Sequence, residues 1–138
     1  MIYHWEGKDG VAPLAAAMHL GYLPSRVTNE RELCFLLRQE LPLGKGVPAR
    51  EFGVLFLMGW GQKGEGVYTL ATGKKPELVL KTITKMLPLL GEDLLDYHFI
   101  NCKTALKRHR KQSPAVGPGL CGWYNAIGLM VREVQRSL

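Results

Sequence analysis

Any chemistry in this chain has to come from a few cations, glycines and thiols. Gly7, Lys8 and Gly10 share one loop, between an apolar N-terminal run (Ile2–Trp5) and an alanine-rich segment. Glycines there let the backbone bend so that N–H groups and a helix N-terminus face an anion, and Lys8 adds charge. Gly73 and Lys74 follow a second β-rich run in the same way. These five residues are the candidate ligand-binding set, suited to a small phosphate-bearing or nucleotide-like molecule. The loop matches neither the dinucleotide nor the P-loop fingerprint, and Pro13 removes one donor. A tight strand-to-helix turn accounts for the same glycines.

The thiols offer a different chemistry. Cys102 and Arg108 are separated by five residues and follow an apolar run, Tyr97–Cys102. This is the spacing of cysteine phosphatases, in which a thiolate attacks phosphorus and an arginine clamps the oxygens above a cradle of backbone N–H groups. The intervening residues lack glycine, and Ala105-Leu106 reads as helix. Cys121 follows Gly117-Pro118-Gly119 at the expected start of another helix, where the dipole would lower a thiol pKa. No histidine base stands at a matching spacing, and a small buried thiol behind a glycine loop fits the same residues. Catalytic candidates are therefore Cys102, Arg108 and Cys121, and the chain reads as a binding protein more readily than as an enzyme.

A third set is the basic run Lys103, Lys107, Arg108, Arg110 and Lys111, with His109 among them. On a helix these residues spread around the circumference, as in a hydrated exposed segment. Their functional alternative is contact with a nucleic-acid backbone or an acidic protein. No aromatic residue interrupts the run, so base readout has no support. Glu92, Asp93 and Asp96 fit helix and turn chemistry, and Trp5 and Trp60 could flank a ligand pocket.

The whole chain bounds these readings. Its 138 residues suit a single domain spanning 1–138. Hydrophobic residues make up 46% and charged residues 22%, which excludes a disordered chain. The net charge of +6 favours an anionic partner without choosing one. Three widely spaced cysteines without a CxxC, and four scattered histidines, argue against a disulfide framework and a metal site. No cofactor is implied. No secretory signal is visible and no apolar stretch approaches the ~20 residues of a membrane span, so a cytoplasmic protein without membrane contact is expected.

The elements that must position these residues follow from periodicity and breakers. Ile2–Trp5 reads as a strand, and Pro13 to Leu20 as a helix ended by Gly21. Asn29 and Glu32 make a capping-box-like start to a helix over 30–41, with Leu33, Leu36, Leu37 and Leu41 on one face. Gly44–Pro48 resembles a linker. Gly53–Met58 reads as a central strand buried on both faces, and Val67–Thr72 as a strand that the short intervening loop could join to it in a hairpin. Pro76 and Glu77 open the next helix, Pro88 and Gly91 close it, and Tyr97–Cys102 is the last strand. Thr104–Gln112 is helical. Over Leu120–Leu138, Trp123, Ile127, Met130, Val131, Val134 and Leu138 line one face, with Arg132, Gln135 and Arg136 outward. The order β-α-α-β-β-α-β-α-α predicts a three-layer α/β domain on a small four-stranded sheet, mostly parallel or mixed. Self-association through an exposed face of the last helix would make a homo-oligomer.

Tyr3-His4, the glycine loop, Ala15–Gly21 and Leu23-Pro24 together resemble family 3189 among the domains of unknown function, short proteins of spore-forming Gram-positive bacteria. Members open with a Tyr-His strand, a Gly-Gly loop carrying His and Ser, and an Ala-Ala-Ala-Ile-His-Leu-Gly-like helix. The resemblance continues through Val67–Thr72, Gly73 and Pro76–Val79. It implies a small cytosolic α/β fold and brings no activity. This chain departs from the pattern over Glu6–Pro13, where the family's polar His/Ser loop is replaced.

Overall fold

In the computed structural model, residues 1–38, 46–112 and 119–138 are described. The elements are β1 (Ile2–Trp5), α1 (Val11–His19), α2 (Glu30–Leu37), β2 (Leu55–Trp60), β3 (Gly66–Ala71), α3 (Pro76–Leu89), β4 (Phe99–Asn101), α4 (Cys102–Gln112) and α5 (Gly119–Ser137). Their order is the expected one. The strands form one mixed sheet in the order β2-β3-β1-β4. β1 runs parallel to β3 and β4, and β2 runs antiparallel to β3.

β1 is central, and all four of its side chains are buried. Alternation along the strand sends Ile2 to one face, where it packs with Leu70, Ile83 and Leu87 under α3. Tyr3 and Trp5 point to the other face, into a larger core shared with α1, α4 and α5. Ala12, Ala15 and Ala16 are fully buried, so the small residues of α1 let it lie close to the sheet. Helices thus cover both faces of the sheet.

The sequence expectation for 53–58 is corrected. β2 spans Leu55–Trp60 and lies at the sheet edge, with most of its residues exposed. The reason is local. A tight turn, closed by Gly61 N–H to Glu65 O at 2.7 Å, forces β2 into a hairpin with β3. The sheet then grows from the far side of β3 through β1. An apolar run alone does not distinguish a central strand from an edge strand.

Several helix signals are realised with small shifts. Asn29 accepts from the Glu32 N–H at 2.9 Å, while the Glu32 carboxylate reaches back one residue further than expected, to Thr28. Residues 39–41, expected in α2, lie outside the described residues, as do Gly44 and Lys45 of the linker-like Gly44–Pro48. The last strand is shorter than expected, because Cys102 already begins α4.

α5 is buried along most of its length. Its Asn125 pairs with the backbone of Val27, accepting from the N–H at 2.8 Å and donating to the carbonyl at 3.0 Å. Tyr124 donates to Pro24 O at 2.6 Å. Gly128 faces the Ser25 backbone so closely that a side-chain carbon there would collide with the Ser25 carbonyl oxygen. The segment after α1 is therefore strapped to α5. Within the core, Tyr3 Oη lies 2.8 Å from His19 Nδ1, and His19 Nε2 lies 2.8 Å from Glu65 Oε1. This chain of polar contacts links β1, α1 and the β2–β3 turn.

Candidate functional site

The three parallel strands β1, β3 and β4 end at the same sheet edge. The segments that follow them start at Glu6, Thr72 and Cys102, and carry Lys8, Lys74 and Lys103. Ligands of open α/β sheets bind at this edge, where neighbouring connections leave toward opposite faces. Here that position lies between β1, which leads to α1, and β3, which leads to α3. It is closed. Gly73 N–H bonds to Glu6 O at 2.9 Å, and Val47 N–H bonds to Gly7 O at 2.7 Å. Gly7 and Gly73 have φ of 102° and 69°. A Cβ on Gly73 would come within 2.7 Å of Phe52 Cδ2, and one on Gly7 within 3.0 Å of Phe52 and Val47. These glycines serve a close approach of protein to protein. Gly10, the residue before α1, has an ordinary φ of −98° and is buried.

The open cleft is on the other side of β1, against α4, with a volume of about 410 Å³. Trp5, Val11 and Leu106 supply apolar surface, and Lys8, Lys103, Lys107 and Arg110 supply positive charge. Lys103, Leu106, Lys107 and Arg110 fall at i, i+3, i+4 and i+7, so α4 presents them on one face. Trp5 is held in place by its indole N–H, which donates to Asp9 O at 2.9 Å. The Asp9 carboxylate accepts from Val11 N–H at 3.0 Å and occupies the N-terminus of α1. The Asn101 side chain accepts from Thr104 N–H at 3.2 Å at the start of α4. The two helix N-termini beside this cleft, those of α1 and α4, are thus partly satisfied by the chain itself, and an anion in it would rely on side-chain cations.

Glu6 stands among those cations. Its Oε1 is 3.3 Å from Lys103 Nζ and its Oε2 is 3.4 Å from Lys8 Nζ. The hydrogen bond and charge of Lys103, then the charge of Lys8, hold the Glu6 carboxyl below the usual carboxylate range. Four cations against Glu6 and Asp9 leave the cleft with an excess of positive charge.

The remaining predicted residues go elsewhere. Lys74 lies in a separate shallow depression with Lys75 and the first turn of α3. Arg108 leaves the cleft and donates to both Glu133 oxygens, at 3.1 and 3.0 Å. The side chain of Lys111 is outside the described residues. Cys102 is fully buried, and burial pushes its thiol far above the ordinary value, with Asp9 adding to the effect. Residues 102–108 form continuous helix, so no cradle separates Cys102 from Arg108. Cys121 lies in the first turn of α5, and its thiol is also raised, by desolvation first and then by Glu30. The expectation of a lowered pKa there is corrected, since burial and the neighbouring Glu30 act in the opposite direction. Gly117 and Pro118 are outside the described residues. Trp60 is on the exposed edge strand, away from the cleft.

Sequence reasoning missed Glu6, Asp9, Val11 and Leu106. Leu106 had a signal, since it shares the helical face of Lys103 and Arg110. Glu6 had none, because its partner on α4 is distant in sequence.

The stretch 1–111 matches the family model described as Protein of unknown function (DUF3189). This chain belongs to that family. All residues lining the cleft, Trp5 to Arg110, fall inside the matched stretch of this DUF3189 protein, and α5 lies beyond it. No match was found among the curated proteins or among the solved structures. Among the described residues of the DUF3189 chain, no helix is long and apolar enough to cross a membrane. No three His, Cys, Asp or Glu side chains among them come together to hold a metal ion.

Proposed function

We propose that this DUF3189 protein binds a small phosphate-bearing or nucleotide-like ligand in the cleft between β1 and α4, without catalysing a reaction on it. The observation that carries this is the convergence of Lys8, Lys103, Lys107 and Arg110 around Trp5, Val11 and Leu106. The volume of about 410 Å³ is in the range of small-molecule sites, ~300–1,000 Å³. Charge-assisted hydrogen bonds from the cations would hold the anionic group, and the apolar surface would take the rest of the ligand. The anion would take Lys8 and Lys103 from Glu6. The buried Cys102 thiol offers no accessible nucleophile, which favours binding over turnover. The three cysteines are free, which supports a reducing, cytoplasmic setting.

A nucleic-acid or acidic-protein partner fits less well. Of the basic run on α4, Lys103, Lys107 and Arg110 turn into one cleft with Lys8 while Arg108 is held by Glu133, so the charge gathers at a pocket and does not form an extended track for a polymer. Thermal-shift measurements with nucleotides, phosphorylated metabolites and inorganic pyrophosphate at millimolar concentration should raise Tm, and Lys103→Ala with Lys107→Ala should abolish the rise. No shift from any compound overturns the proposal. Steeply salt-dependent binding of an oligonucleotide without a small-ligand response would assign the cleft to a polymer.

A further inference from the structure

The cleft between β1 and α4 is divided by depth. Trp5 and Val11, only 6% and 3% exposed, form its floor, and Leu106 is half-buried beside them. The Trp5 indole N–H is already donated to Asp9 O, so the floor offers no free donor. Lys8, Lys103, Lys107 and Arg110 are exposed and stand at the mouth. Their aliphatic stems extend the apolar wall, while their charged ends stay in water.

The polar groups are equally selective. Apart from the Trp5 indole, every polar side chain among the described residues lining the cleft is charged, and none is a hydroxyl or an amide. The two carboxylates, which could accept from sugar hydroxyls, are engaged: Glu6 by Lys8 and Lys103, Asp9 by the Val11 N–H. A hydroxylated body on this floor would give up its water without finding partners, which is unfavourable. An apolar body gains by leaving water.

We infer that the ligand is an amphiphilic anion, an aryl or short alkyl phosphate in class, with its apolar body on Trp5, Val11 and Leu106 and its phosphate at the mouth among the cations. This rests on the binding reading above and narrows it. Sugar phosphates and nucleotides, whose phosphate is joined to a hydroxylated ring, fit poorly. The cleft volume of about 410 Å³ exceeds the ~150 Å³ of a cavity that encloses benzene.

Calorimetric titration of the full chain with phenyl phosphate, hexyl phosphate, ribose 5-phosphate, adenosine monophosphate and inorganic pyrophosphate tests this. Burial of roughly 80 Å² of apolar surface predicts phenyl and hexyl phosphate about thirtyfold tighter than ribose 5-phosphate, which carries the same phosphate group. Either order between phenyl and hexyl phosphate supports the inference, the tighter one naming a ring or a chain. Leu106→Gln, with an unchanged circular dichroism spectrum, should remove most of the preference and leave pyrophosphate affinity within about twofold. Leu106→Met should keep the preference. Equal affinity for phenyl phosphate and ribose 5-phosphate overturns the inference and leaves the anion site standing, as does tighter binding of adenosine monophosphate than of either apolar phosphate. A preference that Leu106→Gln does not change also overturns it. Silence from every probe, pyrophosphate included, overturns the underlying reading as well.

Discussion

Lys8 and Lys103 hold opposite oxygens of one carboxylate, that of Glu6, at 3.4 and 3.3 Å. One lysine comes from the loop after β1 and the other from the first turn of α4. Both side chains are about three-quarters exposed, so these ion pairs add little to stability. What they do is place a negative group where a ligand anion would sit.

Glu6→Gln should therefore strengthen binding of inorganic pyrophosphate several-fold by calorimetric titration and leave Tm unchanged. The pH dependence has a definite sign. The folded carboxyl is lowered, so its contribution is complete above the ordinary carboxylate pKa and is lost as pH falls through the lowered value. Anion affinity should rise over that acid window in the wild type and stay flat in Glu6→Gln. A weaker affinity in Glu6→Gln would mean that Glu6 contacts the ligand.

The basic helix divides by face. Lys103→Ala, Lys107→Ala and Arg110→Ala should each reduce pyrophosphate affinity about tenfold, or ~1.4 kcal/mol. Arg108→Ala should leave it unchanged, because Arg108 is held by Glu133. Equal losses at all four positions would point to a general field around the helix and away from a cleft.

Gly128→Ala puts a methyl group against the carbonyl oxygen of Ser25. Backbone has to move, and a loss of at least ~2 kcal/mol is expected from urea unfolding. Stability within ~0.5 kcal/mol of wild type would show that the 24–27 segment shifts freely.

Asn125→Ala leaves the buried N–H and carbonyl of Val27 without the pairing described above. About 3 kcal/mol should be lost in the same urea assay.

The cysteines should separate by rate toward an aromatic disulfide reagent. Cys34 is exposed and should react first, Cys121 more slowly, and Cys102 only on unfolding. Fast reaction at Cys102, or release of phosphate from an aryl phosphate that depends on it, would revive a phosphatase.

How much of this was legible in advance depends on the range of each interaction. Helix periodicity, the Asn29 cap, the glycine-bounded hairpin turn and the spacing of Lys103, Lys107 and Arg110 on one face are set within a few residues of each other. The sequence alone determined the order of elements, the α/β class and the apolar stripe of α5, because each depends on local geometry and on which side chains water excludes. Strand adjacency is a long-range choice. The tertiary structure decided that β1 is central and β2 is an edge, that Phe52 fills the crevice between β1 and β3, and that Lys8 meets Lys103 across Glu6. Those outcomes rest on backbone pairing and packing between segments far apart in the chain, for which residue type and spacing carry no signal.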